Sequence, residues 1–274
     1  MEGKIVKIIS NLYTVSCNDE LYECRARGKF RNDKLTPLVG DLVNIDVENN
    51  YILEIKSRKN YLDRPMVSNI DSALIITSVR KPDLSLTLLD KQLVLCLSKK
   101  IEPIIVLTKL DLLNSNEIKD IKKVIKYYKS IGIKVTTNKN LFTLKKYIKK
   151  KTLVLTGQTG AGKSSLLNKL DKSLNLATDE ISEALGRGKH TTRHVELFKY
   201  KNSYIVDTPG FSSLDISIEK NELKDYFIEF KNANCPFKDC THTNEKECNV
   251  KKLVEENKIL KSRYENYLSI VRKL

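Results

Sequence analysis

An eight-residue phosphate-binding loop constrains the fold of this chain more than any other feature of its sequence. The loop fits the pattern Gly-x4-Gly-Lys-Ser and runs Gly157-Gln158-Thr159-Gly160-Ala161-Gly162-Lys163-Ser164, with Ser165 after it. A strand-like segment over residues 153–156 precedes it and a helix-like segment over residues 163–170 follows, the context in which this pattern binds nucleotides. Its backbone N–H groups and Lys163 suit phosphates, and the Ser164 hydroxyl can bind Mg²⁺. The loop therefore predicts an α/β nucleotide-binding unit.

The segments around this loop predict three units along the chain. Apolar strands alternate with helices from about residue 70 to 215, which indicates an α/β unit with a largely parallel sheet. The first 60 residues instead contain five short strands, and this density favours a small closed barrel of the OB-fold type. Beyond residue 215 we predict helices over residues 219–230 and 250–271. The predicted boundaries are 1–62, 63–217 and 218–274.

Three further segments indicate the nucleotide and its metal. Thr108-Lys109-Leu110-Asp111 resembles the Asn-Lys-x-Asp element of GTPases, in which the carboxylate accepts two hydrogen bonds from guanine. Thr108 stands in place of Asn, which removes an amide able to brace the purine and the phosphate loop. Asp207-Thr208-Pro209-Gly210 follows a strand, so Asp207 can hold Mg²⁺ and the Gly210 amide can reach a γ-phosphate. Thr191 or Thr192, in the basic loop 186–193, can complete the Mg²⁺ shell. Together these segments predict a GTPase.

The order of these segments departs from that of ordinary GTPases. The base-reading element at 108–111 precedes the phosphate loop at 157, whereas ordinary GTPases place it last. A circular permutation preserves the spatial site while moving the chain ends, which is feasible because domain termini commonly lie close together. We therefore expect a permuted GTPase domain whose C-terminal end falls just after the segment 207–210, and expect nucleotide state to act directly on whatever follows.

A cysteine and histidine cluster marks the C-terminal unit. Its pattern is Cys-x4-Cys-x-His-x5-Cys, formed by Cys235, Cys240, His242 and Cys248. Three thiols and one imidazole at such spacing suit one tetrahedral Zn²⁺, and a shell without an open position indicates a structural role. Disulfide pairing is the weaker alternative because nothing marks the chain as secreted. We expect a helical zinc-binding domain.

The charge of the chain points to an anionic partner. The net charge is +15, and residues 119–151 carry twelve lysines against the single acidic residue Asp120. That segment is either an anion-binding surface or a solvated helix face. In the barrel segment, Phe30 and Tyr22 lie near four basic residues, namely Arg25, Arg27, Lys29 and Arg31. This mixture suits nucleic-acid binding, and the alternative is an ordinary basic hairpin edge. No apolar run is long enough to span a membrane, so we expect a cytoplasmic protein.

The ordered combination of motifs resembles the RsgA (YjeQ/YloQ) family of circularly permuted GTPases. The resemblance covers almost the whole chain and rests on these segments: the short barrel, Asn69-Ile70-Asp71, Thr-Lys-x-Asp, the phosphate loop, the stretch 188–197, Asp-Thr-Pro-Gly-Phe and the Cys/His cluster. It implies a GTP hydrolase that uses GTP/GDP, Mg²⁺ and one structural Zn²⁺. It also implies a late maturation factor that binds ribosomal RNA and proteins of the small ribosomal subunit, with turnover raised by that subunit. We expect a monomer.

The resemblance also suggests a catalytic residue. Many GTPases place a water-orienting Gln after Asp-Thr-Pro-Gly, but Phe211 stands there and its side chain cannot hydrogen-bond water. The family points to His190, whose imidazole can position water near the γ-phosphate. The alternative is a loop histidine that contacts RNA or solvent.

Two other functions remain open from the sequence. An ATP-driven RNA-binding enzyme would make Asp111 incidental, and a non-catalytic RNA-binding adaptor would use the phosphate loop as a nucleotide sensor. Phe211 is the feature that favours the adaptor.

Overall fold

One large mixed sheet organises the computed structural model, which describes residues 1–28, 30, 35–63, 65–171, 195–207 and 218–274, with only the backbone of Asp207. Within those residues, eleven strands form a continuous sheet that runs from an N-terminal barrel into an α/β unit. No helix in this part of the chain is both long and apolar enough to cross a membrane.

The predicted five-strand barrel is confirmed in the described residues. Its strands are β1 (Glu2–Ile9), β2 (Leu12–Cys17), β3 (Glu20–Ala26), β4 (Leu42–Asp46) and β5 (Tyr51–Ile55). They follow the order β1-β2-β3-β5-β4, and β4 closes the barrel by pairing with β1. Alternate residues point inward and fill the interior with apolar side chains, which include Ile5, Val15, Val43, Ile45 and Ile52.

A small hairpin that the sequence patterns did not predict connects the barrel to the α/β unit. Its strands are β6 (Tyr61–Asp63) and β7 (Met66–Ser68). The buried carboxylate of Asp41, just before β4, pairs with Arg58 at 2.7 Å and accepts a hydrogen bond from the Ser68 hydroxyl at 2.5 Å. This polar junction fastens the hairpin to the barrel.

The α/β unit alternates strands with helices, as predicted. Its elements in chain order are β8 (Ser72–Ser78), α1 (Leu86–Ser98), β9 (Glu102–Thr108), α2 (Ser115–Ser130), β10 (Lys134–Thr137), α3 (Leu141–Ile148), β11 (Thr152–Thr156), α4 (Lys163–Leu170), β12 (Glu196–Tyr200) and β13 (Ser203–Asp207). The strand order is β10-β9-β8-β11-β13-β12, and every neighbouring pair is parallel except β12 and β13. The sheet is therefore largely parallel.

Helices cover both faces of this sheet, so its central strands β8 and β11 are buried along their whole length. Residues of α1 and α2 pack on one face, where Leu89, Leu93 and Tyr128 belong to one buried cluster. Residues of α3 and α4 pack on the other face, where Leu144 and Leu166 belong to a second cluster. Capping side chains fix the start of two helices, since Ser85 caps α1 and Asn114 forms a capping box at α2.

The barrel joins the α/β unit through the hairpin of β12 and β13. Strand β1 pairs antiparallel with β12 at Lys7 and Glu196, whose side chains form an ion pair of 2.9 Å. The Tyr204 hydroxyl of β13 donates to the Ser16 hydroxyl of β2 at 3.3 Å. Val6 of β1 and Leu197 of β12 share one buried cluster. The barrel is thus attached to this hairpin by pairing and packing.

The C-terminal unit departs from the two long helices expected. Residues 219–230 do not form an α-helix but contain the 3-10 helix Leu223–Tyr226 and the start of a second one, Ile228–Asn232. The backbone bends at Phe227, whose buried ring stacks on Phe230 at 5.2 Å between centroids. The helix predicted over residues 250–271 is instead two helices, α5 (Asn249–Glu255) and α6 (Lys261–Val271). Asn257 adopts a positive φ of 57° between them, which lets Ile259 enter the core.

A buried ionic anchor fixes this unit on α1. Arg263, in α6, is 1% exposed, and its guanidinium donates to Asp90 of α1 at 2.8 Å and to both oxygens of Glu229 at 2.7 and 2.9 Å. Asn266 and Tyr128 donate to the same Asp90 carboxylate, each at 2.6 Å. Every oxygen of the two carboxylates therefore accepts a hydrogen bond, which compensates for the loss of water around the charges.

Candidate nucleotide site and Cys/His cluster

The phosphate loop leaves the sheet at the end of β11. Gly157 has a φ of +140°, and a Cβ at this position would lie 2.0 Å from the carbonyl oxygen of Ile76 in β8. Only glycine fits that close approach without displacing a sheet strand. Gly162 has a φ of +92° and caps α4, which begins at Lys163. The backbone therefore turns directly from a buried strand into a helix N-terminus, the arrangement that binds phosphate.

The side chain of Lys163 folds back onto the backbone of the phosphate loop. The Lys163 ammonium donates to the carbonyls of Gly157 at 2.9 Å and of Gln158 at 2.8 Å. Burial lowers the pKa of this ammonium. Ser164 is buried in the first turn of α4, beside Ser165. These positions suit a lysine that contacts outer phosphates and a hydroxyl that binds Mg²⁺.

Two buried side chains brace the phosphate loop from neighbouring elements. The Thr108 hydroxyl, at the end of β9, donates to the Ala161 carbonyl at 2.6 Å. Replacing Asn by Thr in the base-reading element therefore retains a brace to the loop. The Gln92 amide of α1 donates to the hydroxyl of Thr156, directly before Gly157, at 2.9 Å. Sequence reasoning missed Gln92 because an isolated glutamine in an apolar helix carries no motif.

The base-reading segment follows β9 at the same edge of the sheet. Lys109 has a positive φ of 60°, and its ammonium donates to the Lys81 carbonyl. Asp111 lies in the 3-10 turn Leu110–Leu112 with an exposed carboxylate. The structure thus places residues 108–111 and 157–165 at the carboxyl ends of β9 and β11, the two parallel strands on either side of β8, and α/β sheets bind ligands at this edge.

Residues after β10 lie at this edge too, and the sequence patterns did not single them out. Lys139 forms an ion pair with Asp111 at 3.9 Å. The Asn138 backbone donates to Leu107 at 3.0 Å, and its side-chain oxygen is buried without a hydrogen-bond partner among the described residues. The available signal was their position after a predicted parallel strand.

The predicted switch segments fall largely outside the described residues. Asp207 ends β13, which is parallel to β11, so its backbone lies at the nucleotide edge. The remaining predicted residues in these segments lie outside the described ranges: His190, Thr191, Thr192, Gly210 and Phe211.

The basic face of the barrel is described only in part. Lys29 and Arg31 are not described, whereas Arg25 and Arg27 are exposed. These two arginines line an open groove of about 820 Å³ together with Tyr13 and Phe30.

The Cys/His cluster brings its four predicted residues together. Their sulfur and nitrogen atoms all lie within 4.8 Å of one another. The Nδ1 atom of His242 lies 3.5, 3.3 and 3.4 Å from the sulfurs of Cys235, Cys240 and Cys248. Tetrahedral Zn²⁺ with bonds of about 2.3 Å to sulfur and 2.0 Å to nitrogen separates such ligands by about 3.5 to 3.8 Å. The donor set therefore fits a structural Zn²⁺.

Packing around the cluster orients the imidazole. The hydroxyl of Tyr264 in α6 donates to the His242 carbonyl at 2.8 Å, and the His242 ring meets Phe230 edge to face at 5.3 Å between centroids. Phe230 and Tyr267 also pack together, with 5.0 Å between centroids. The helix that carries Arg263 therefore supports the cluster as well.

Comparisons with known proteins match the chain over nearly its full length. A family model described as RsgA GTPase matches residues 55–217, and one described as RsgA N-terminal domain matches residues 2–52. The protein named small ribosomal subunit biogenesis GTPase RsgA 2 from Oceanobacillus iheyensis is 47% identical, covering 100% of this chain and 97% of the relative. The RsgA of Caldanaerobacter subterraneus is 42% identical, covering 100% and 96%.

Two solved structures are similar in fold. The crystal structure of YjeQ from Thermotoga maritima has a TM-score of 0.86 at 35% identity, covering 100% of this chain and 98% of that chain. The crystal structure of YloQ, described as a circularly permuted GTPase, has a TM-score of 0.85 at 36% identity, covering 99% and 94%.

Proposed function

This chain belongs to the RsgA GTPase family, and from that premise we propose that it hydrolyses GTP as an assembly factor of the small ribosomal subunit. The observation that carries the proposal is the hydrogen bond from Thr108 to Ala161. It joins the proposed base-reading segment to a phosphate loop that follows it in the chain, which supports a guanine-nucleotide site assembled in permuted order. We propose that the three units span residues 1–62, 63–217 and 218–274.

We assign the nucleotide contacts to the sheet edge described above. Residues 157–165 hold the phosphates, and Lys163 contacts the outer ones. Asp111 accepts hydrogen bonds from guanine, while Thr108 and Lys109 shape the segment that carries it. Mg²⁺, when bound, neutralises charge on the phosphates, and its ligands are Ser164, Asp207 and one of Thr191 or Thr192.

The water-positioning role goes to His190. Phe211 follows Asp-Thr-Pro-Gly and has no group that can hydrogen-bond water, so another side chain near the γ-phosphate must orient it. His190 lies in the loop that contains both candidate threonines, and neutral imidazole accepts a hydrogen bond at physiological pH. Gly210 supplies a backbone amide for the γ-phosphate.

The flanking units bind the subunit. Arg25 and Arg27 line the groove of the barrel beside aromatic residues, a combination that contacts phosphates and stacks on unpaired bases of ribosomal RNA. The C-terminal unit, held by one structural Zn²⁺ on Cys235, Cys240, His242 and Cys248, makes a second contact. The chain acts as a monomer in the cytoplasm, and binding to the subunit raises its turnover.

Nucleotide turnover tests this function against its two rivals. Hydrolysis of GTP and ATP is measured with and without purified small ribosomal subunits. GTP-specific turnover that rises with subunits supports the proposal. Equal use of ATP supports an ATP-driven enzyme, and nucleotide binding without turnover supports an adaptor.

Replacing Asp111 by Asn sharpens the test. A carboxylate accepts two donors from guanine, whereas an amide presents one acceptor and one donor and so matches xanthine. The variant should prefer xanthosine triphosphate to GTP, and small subunits should raise its turnover by the same factor as in the wild type. Asp120→Asn, on the exposed face of α2, is the matched control and should leave GTP preference intact. Unaltered preference in Asp111→Asn would remove Asp111 from base recognition.

A further inference from the structure

A lysine-rich surface lies at the end of the sheet that is farthest from the barrel. We call it the basic rim and define it by one exposed aromatic residue and eight exposed lysines: Phe142, Lys119, Lys122, Lys126, Lys129, Lys145, Lys146, Lys149 and Lys150. The nucleotide contacts proposed above use none of them. Strand β10 is the outermost strand here, whereas β12 at the other end of the α/β sheet carries the barrel.

The lysines of α2 form a single stripe. Lys119, Lys122, Lys126 and Lys129 follow one another at spacings of three, four and three residues, which places them on one face of the helix. At 1.5 Å per residue the stripe is about 15 Å long. The opposite face of α2 packs Tyr128 into the core. The stripe therefore points to solvent along its whole length.

Helix α3 adds an aromatic ring to a second group of lysines. Phe142 is 83% exposed, more than any other large hydrophobic residue of the described chain. Lys145 and Lys146 lie three and four residues further along α3 and so are its neighbours on the helix surface. Lys149 and Lys150 continue the positive charge past the helix end. An exposed ring beside cationic side chains is the combination that holds unpaired bases and their phosphates.

The charge of the rim is not neutralised by ion pairs in the described residues. The other lysines of the segment 119–151 do have acidic partners, since Lys134 and Lys151 pair with Glu102, Lys123 with Asp120 and Lys139 with Asp111. None of the eight rim lysines has one among the described ion pairs. Like charges three and four residues apart reduce helix stability, and a polyanion relieves that repulsion.

We infer that the basic rim is an RNA-binding surface of the GTPase unit, separate from the barrel and the C-terminal unit. Its lysines contact phosphates from both sides of β10, because α2 and α3 pack on opposite faces of the sheet. Phe142 stacks on an unpaired base. The inference extends the proposed function, since it adds a third contact to the same ribosomal partner. RNA is favoured over an acidic protein because the dense lysines accompany a single exposed aromatic ring.

The experiment measures binding of the full chain to a fluorescent oligouridylate of about 12 nucleotides, by anisotropy, from about 50 to about 300 mM KCl. In one variant the four α2 lysines are changed to Gln, which keeps a good helix former at each position. In the matched control the same four are changed to Arg, which keeps the charge. In a third variant Phe142 is changed to Ala.

The Gln variant should bind more weakly and lower the slope of log affinity against log salt by up to about three, since each phosphate contact on a single strand contributes about 0.7. The Arg variant should match the wild type. Phe142→Ala should weaken binding at least about fivefold with an unchanged salt slope, because stacking involves no counterion release. Basal GTP turnover, measured in all variants, should stay at the wild-type value.

Two outcomes would overturn the inference. Identical affinity and slope in the Gln variant and the wild type would make the rim a solvated helix face. An equal loss in the Arg and Gln variants would show that charge is not the cause. Failure of the proposed function is a different result, namely wild-type GTP turnover that small subunits do not raise, and it leaves the oligouridylate titration unaffected.

Discussion

The two flanking units are attached to different parts of the α/β unit. The barrel continues the sheet through β12, a strand that follows one predicted switch segment and pairs with β13, which leads into the other. The C-terminal unit instead docks on α1 through Arg263 and Asp90. We therefore expect changes at the predicted switch segments to reach the barrel through hydrogen-bonded strands, whereas the C-terminal unit is held by a helix outside those segments.

This contrast modifies the expectation that nucleotide state acts directly on everything that follows residue 210. The chain after that segment is covalently linked to it, but residues 218–274 are fixed on α1 through Arg263. A displacement of the segment 207–210 could move the C-terminal unit only by breaking the contacts of Arg263 with Asp90 and Glu229, whose carboxylates are fully hydrogen-bonded. We therefore expect the barrel to respond most to GTP hydrolysis.

Loss of the proposed zinc should have the largest effect, and only on the C-terminal unit. Cys240→Ser removes one ligand, and structural zinc in small domains contributes about 10 to 16 kcal/mol to folding. The variant should lose its bound zinc, measured by elemental analysis, and residues 218–274 should become sensitive to protease. Cys17→Ala, in the barrel, is the control and should keep one zinc per chain. Protection of 218–274 in a zinc-free protein would contradict the structural role.

Breaking the anchor should be the next largest effect. Arg263→Met leaves Asp90 and Glu229 as buried charges without their cation, which costs about 3 to 5 kcal/mol. The free energy of unfolding by urea should fall by that amount. Arg272→Met, on the exposed end of the same segment, should change it by less than about 0.5 kcal/mol. Equal effects of the two substitutions would refute the anchor.

Hydrogen exchange tests the contrast itself. Backbone amides of β1 and β12 should differ in protection between the GDP form and a form with a non-hydrolysable GTP analogue, because β12 borders the switch segments. Amides of α6 should not differ, since Arg263 holds that helix on α1. Local opening free energies that shift by about 1 kcal/mol in the barrel and not in α6 would support the assignment. The reverse pattern would refute it.

The smallest effect is expected at the ion pair between barrel and hairpin. Lys7 and Glu196 each keep about a third of their side chains exposed, at 34% and 35%. A double-mutant cycle with alanine should give a coupling free energy of about 0.2 to 1 kcal/mol. A larger coupling would mean that this pair, rather than the strand pairing and the apolar contact of Val6 with Leu197, holds the barrel in place.

Much of the fold could be predicted because it depends on local patterns. Strand alternation revealed the barrel, and buried strands between helices revealed the parallel sheet. The phosphate loop could be placed because its glycines serve a backbone geometry that no other residue allows, as the distance between Gly157 and Ile76 illustrates. The Cys/His spacing likewise predicted a cluster that the structure assembles.

The remaining features depend on contacts between distant segments. Nothing near Arg263 in the sequence indicates that its partner is Asp90, 173 residues earlier. Helix α3 has only eight residues, and only Leu144 and Ile148 among them are buried. Two buried positions give too weak a periodicity to detect in the sequence. The brace from Thr108 was missed because only a structure shows that a hydroxyl can reach the loop that an amide was expected to hold.

The pairing of β1 with β12 also affects how the chain emerges during synthesis. The barrel strands are translated first, and the strand that covers the far end of β1 follows about 190 residues later. Until then that end of β1 presents unpaired backbone groups to neighbouring nascent chains. This end of β1 has a register irregularity between Ile5 and Lys7, and it carries the positive charge of Lys7. Both features discourage edge-to-edge aggregation until β12 is synthesised and pairs with β1.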